Sequence, residues 1–113
     1  MGHVRHKATV VTSWNADLAN LAHIKALGFW KSISPMMESE INGYHSFVIP
    51  TSGSKAGWDE ENADTACRAE FMTWCRAQAH SDGSNSLQVI EVEYGEDEAA
   101  SILHEIGHPS INH

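Results

Sequence analysis

His104, Glu105 and His108 stand in the pattern H-E-x-x-H, completed by Ile106 and Gly107. On a helix this spacing presents two imidazoles from one face, one turn apart, with a carboxylate beside them. The chemistry would be metal-assisted hydrolysis, in which His104 and His108 ligate Zn²⁺ and Glu105 activates the bound water as the catalytic base. The neighbours do not favour a helix. Pro109 follows His108 directly and pushes it out of the helical region, and Gly107 is a natural stop. A third ligand must be His113 or lie earlier in the chain. His113 falls one short of the extended zinc-hydrolase spacing, and Ile111 stands where that pattern needs glycine.

A looser metal site is compatible with the same residues. If the first and last strands are antiparallel neighbours, His3 and His6 approach the C-terminal His104, His108 and His113. Such imidazole sets suit Zn²⁺, Ni²⁺ or Cu²⁺. Histidines simply facing solvent near the chain ends are the plainer reading.

The second candidate site is the segment Ser52-Gly53-Ser54-Lys55-Ala56-Gly57-Trp58. Between a strand and a helix, its backbone amides, hydroxyls and lysine can gather around a small anionic, nucleotide-like ligand, with Trp58 stacking on a ring. Ser52, Gly53, Ser54, Lys55 and Trp58 are the expected contacts. The loop lacks the phosphate-loop spacing, and a tryptophan anchoring a Ser/Gly loop to a core is the commoner arrangement. There is no G-x-S-x-G nucleophile, and neither Cys67 nor Cys75 has a histidine partner in sequence. Glu91 and Glu93 read as an ordinary solvated strand face.

Fifteen acidic and seven basic side chains give a net charge of −8, with no basic stripe, so direct nucleic-acid binding is not expected. Apolar runs are too short for a membrane span, and the N-terminal residues carry no signal-like apolar core; the expected location is cytoplasmic. Cys67 and Cys75, eight apart, fit packed, reduced thiols.

The elements that must position these groups follow from pattern. Ala8–Thr12 is a β-branched first strand, and Ser13 or Asn15 caps a helix with Leu18, Leu21, Ala22 and Ile24 as its face and Gly28 as its stop. Phe29–Ile33 reads as a second strand, Asn42-Gly43 as a turn, and Tyr44–Ile49 as a third strand. Asp59 or Asn62 caps a helix to about Ala79, with Cys67, Phe71, Trp74, Cys75 and Gln78 on one face. In Leu87–Tyr94, Ile90, Val92 and Tyr94 form the expected inner face, with Glu91 and Glu93 outward. Glu98–Ile106 has an apolar stripe compatible with a helix. The expectation is one α+β domain over residues 1–113, a ferredoxin-like βαββαβ two-layer sandwich. Two helices lie on a four-stranded antiparallel sheet, with a core over about 7–95 and a C-terminal extension over 96–113. Its bare sheet face invites a second copy, hiding Val89 or Trp30 in a homodimer.

Val10-Val11-Thr12-Ser13-Trp14, Asn42-Gly43-Tyr44-His45-Ser46-Phe47, Ser52–Trp58 and Ile90-Glu91-Val92-Glu93-Tyr94-Gly95 resemble small uncharacterised proteins encoded by bacteriophages of actinobacteria, across roughly residues 7–98. The resemblance implies a phage or prophage origin and action inside a bacterial host, and supplies no catalytic residues. The expected function is a non-enzymatic accessory protein that binds a host protein or a small anionic ligand. The alternatives are a zinc-dependent hydrolase and a virion or assembly component.

Overall fold

The computed structural model describes residues 5–51, 59–95 and 99–107. Val10, Val11 and Thr12 are stiff at χ1 and favour extended backbone, and the first strand, β1, runs over Arg5–Ser13. Ser13 closes it by donating to the Ser86 carbonyl at 2.8 Å while accepting from the Asn15 amide at 3.0 Å. Asn15 is the helix cap: its side-chain oxygen accepts from the Leu18 amide at 3.2 Å, and helix α1 follows over Ala16–Leu27. The packed face of α1 differs from the expected one. Ala19, Ala22 and Ala26 are buried, whereas Leu21 and Ile24 are 53% and 65% exposed. An alanine stripe brings the helix close to the sheet, where Phe47 and Val11 supply the bulk.

Phe29–Ile33 is not a strand. The amides of Phe29 and Trp30 both bond back to the Ala26 carbonyl at 2.9 Å, and Phe29, Trp30 and Ile33 lie against the rim of the core. The second strand, β2, is only Met37–Glu38. Asn42 and Gly43 take φ of 68° and 63°, the left-handed pair that a tight hairpin needs, and the chain returns as β3, His45–Ile49. Helix α2 spans Asp59–Arg76, strand β4 Leu87–Gly95 and strand β5 Ser101–Ile106. All strand pairs are antiparallel, in the order β2-β3-β1-β4-β5. The sheet therefore has five strands where four were expected. The additional one comes from the C-terminal extension, which pairs along β4 and brings Ile106 into the core beside Val89.

Both helices cover one face. Val11, Phe47, Ile49, Leu87 and Val89 meet Phe71, Met72 and Cys75 there, all at most 2% exposed. Each large side chain so buried contributes about 1.5–3 kcal/mol. Burial also pushes the Cys75 thiol up to about 12. The facing of β4 is the reverse of the expectation: Leu87, Val89 and Glu91 lie beneath the helices, whereas Ile90, Val92 and Tyr94 point to the open face. Val89 is thus 2% exposed and Trp30 half-buried on the helical side, so neither belongs to a bare sheet surface. A period of two defines two faces without saying which one a helix will cover.

Candidate functional site

The described part of the H-E-x-x-H motif lies on a strand. His104 and Glu105 are successive residues of β5, so their side chains leave on opposite faces. His104 pairs with Glu91 on the helical side and Glu105 with Ile90 on the open side. The helix considered for Glu98–Ile106, on which a zinc-hydrolase arrangement depends, is replaced by this strand. Gly107 then turns the chain with φ at 96°; a Cβ there would meet the Leu87 carbonyl oxygen at 2.8 Å. His6 lies on the open side of β1 with its ring 5.1 Å from that of Tyr94, while His104 lies under α2 with β4 between their strands. These two histidines are not brought together. His3, His108 and His113 lie outside the described residues, as do Ser52, Gly53, Ser54, Lys55 and Trp58. Among the described residues, no group of three or more His, Cys, Asp or Glu side chains is placed to hold a metal ion.

A charged cluster lies between α2 and the sheet. Arg68 on α2 is 2% exposed. Its Nε donates to Asp64 Oδ2 at 2.8 Å, Nη1 to Thr9 Oγ1 at 2.9 Å and Nη2 to the Pro50 carbonyl at 2.7 Å. Its guanidinium stands 5.4 Å from the Trp30 ring centre, and the Trp30 indole donates to Asp64 at 3.0 Å. Glu91 is 1% exposed; its two carboxylate oxygens lie 3.8 Å from Arg68 Nη1 and His104 Nε2. Burial raises the Glu91 pKa above its ordinary value, against the opposing pull of Arg68, His104 and Lys7. Arg76 donates to His104 Nδ1 at 3.4 Å, so the neutral ring carries its proton on Nε2, toward Glu91.

Glu91, His104 and Arg76 tie β5 to β4 and α2. A depression of ≈ 220 Å³ opens on the other side of the sheet, with Val10, Thr12, Gln88, Ile90 and Glu105 among its lining residues. The hydrogen bonds and ion pairs of the cluster join α2 to β1 and β4. Sequence reasoning missed Arg68 and placed Glu91 in water. The available signal was the run Asp64, Arg68, Phe71, Cys75, an acid–base pair one turn apart, in line with the apolar stripe of the same helix.

Apolar side chains remain outside on both layers. Leu21, Ile24 and Leu27 of α1 are 53%, 65% and 47% exposed; on the open sheet face Val10, Tyr94 and Ile102 are 37%, 42% and 58% exposed. No helix among the described residues is long and apolar enough to cross a membrane. No family model matches the chain, and neither a curated protein nor a solved structure matches it.

Proposed function

We propose that this is a non-enzymatic accessory protein of a bacteriophage or prophage, acting in the bacterial cytoplasm by binding a host protein. The resemblance to small phage proteins supports the setting. The strand order β2-β3-β1-β4, with both helices on one face, supports a ferredoxin-like reading to which β5 adds an edge strand. That arrangement carries no function by itself.

The observation that carries the binding reading is the stripe Leu21, Ile24, Leu27 on α1. Three large aliphatic side chains at i, i+3 and i+6 stand in water while alanines take the packed positions of the same helix. A ridge of this kind fits an apolar groove on a partner. With a net charge of −8 on the chain, a partner whose groove is rimmed by Lys and Arg is the complementary one.

The test is capture from host extract, followed by titration with the purified captured protein. The double variant Leu21→Ala, Ile24→Ala preserves helix propensity and removes the ridge. Binding at least tenfold weaker is expected, equivalent to about 1.4 kcal/mol, and salt should weaken the wild-type complex further. Equal affinity for wild type and variant would overturn the α1 reading.

A further inference from the structure

We infer that the open face of the sheet is a homodimer interface, occupied by the same face of a second copy of this chain. This surface lies opposite α1 and does not depend on the host-protein reading. At its centre are Val10, Val48, Ile90, Val92, Tyr94 and Ile102, placed on one side by strand alternation and by the registers Val10 to Val48, Val10 to Ile90 and Val92 to Ile102. Val10, Tyr94 and Ile102 are substantially exposed, in a domain whose opposite sheet face is closed by two helices.

Charge identifies the occupant. The chain carries 15 acidic side chains, yet among the described strand residues pointing to this face Glu105 is the only carboxylate, and none is Lys or Arg. Two copies at −8 repel each other through almost any acidic surface. An isologous contact requires a patch that tolerates its own copy, and a nearly neutral apolar face does so. A basic partner would find few counter-charges here. Glu105 is exposed on the edge strand and lines the depression beside Ile90, so it is the one carboxylate the contact has to accommodate.

The dimensions also fit. The four longer strands, β3, β1, β4 and β5, lie about 4.8 Å apart and make a face roughly 19 Å wide; over about 20 Å of strand length this gives about 400 Å² per copy before side-chain relief is counted. The pair then buries on the order of 800–1,000 Å², the size of a weak, reversible contact that forms as concentration rises. The ≈ 220 Å³ depression between β1, β4 and β5 gives an opposing side chain a place to insert. Two stacked sheets would put both helical layers, and both α1 ridges, on the outside.

Sedimentation of the full chain across micromolar to hundred-micromolar concentrations is the test. The wild type is expected to shift to twice the 12.4 kDa chain mass, and added salt should tighten the dimer by screening like charges. Val10→Asp, with its circular dichroism retained, should weaken association at least a hundredfold, whereas Leu21→Ala, Ile24→Ala should dimerise as the wild type does. Hydroxyl-radical footprinting of the wild type needs no variant: Tyr94 and Ile102 should lose reactivity as concentration rises, while Leu21 and Ile24 keep theirs. A monomer at the highest concentration overturns the inference, even if Tyr94 and Ile102 are protected at every concentration, because the cover would then come from the chain itself. A dimer protecting Leu21 and Ile24 instead would also overturn it.

Discussion

The two faces of this sheet invert the usual division of labour between polar and apolar side chains. Beneath the helices, the apolar core shares its space with Arg68, Asp64, Thr9 and Glu91, joined in a nearly dry network. On the open side, Val10, Ile90, Val92, Tyr94 and Ile102 face outward with little charge among them. The covered face obtains directional contacts that fix how α2 sits on the sheet. The open face has few such constraints among its described residues. The charged cluster and the proposed contact face are thus separated by the thickness of one sheet.

Removing Arg68 should break this contrast most severely. Arg68→Met leaves Asp64 and Glu91 without their buried cation and Thr9 and the Pro50 carbonyl without a donor, a change expected to cost about 3–5 kcal/mol. Urea unfolding at constant m reads it directly. A loss below about 1 kcal/mol would show that apolar packing alone holds the covered face. Next comes Gly107→Ala, at the position where β5 leaves the sheet with positive φ and the Leu87 carbonyl oxygen leaves no room for a Cβ. Backbone strain of about 1–3 kcal/mol is expected, and amide exchange should show the loosening concentrated in β5. Uniform loosening of all five strands would assign β5 to the common core.

The smallest effect should come from Glu91→Gln, and its sign depends on pH. Burial raises the Glu91 pKa above 4.5, so the folded chain holds this proton to higher pH than the unfolded chain does. The group's contribution is therefore most favourable below pH 4.5 and is lost as pH rises through the raised value. Glutamine removes that dependence. Its stability relative to the wild type should therefore improve between acid and neutral pH, as the wild type loses the contribution of its buried proton and the glutamine does not. An unchanged difference across that range would mean that Arg68 and His104 fully offset the desolvation of the carboxylate. Salt sharpens the comparison on the outer surfaces: it should strengthen contact through the sheet face and weaken contact through α1.

Much of the element order was legible because its signals are local. The Asn15 cap, the Asn42-Gly43 turn and the stripe of Phe71 and Cys75 act within a few residues, and each lies where its chemistry demands. What sequence could not supply was the choice between faces. β4 alternates cleanly, yet an arginine reaching down from α2 makes Glu91 the inward residue, and that partner is 23 positions away. The same applies to α1, where alanines beat Leu21 and Ile24 because Phe47, from another strand, fills the interface. His104 and Glu105 were legible as a motif, but their geometry depends on pairing along β4, which turns a shared face into two opposite ones. The loop at Ser52–Trp58 lies outside the described residues.

The pairing of β5 with β4 slips at one point: Ile102 faces Val92 and His104 faces Glu91, which leaves Leu103 as an extra residue. Bulges of this kind bend and twist a strand locally, and a twisted margin is a poor template for further strands. Growth by addition along that margin, the route to fibres, is thereby discouraged. The association proposed through the flat of the sheet would close after two copies, which would let a small and strongly acidic chain carry exposed aliphatic surface and still form assemblies of finite size.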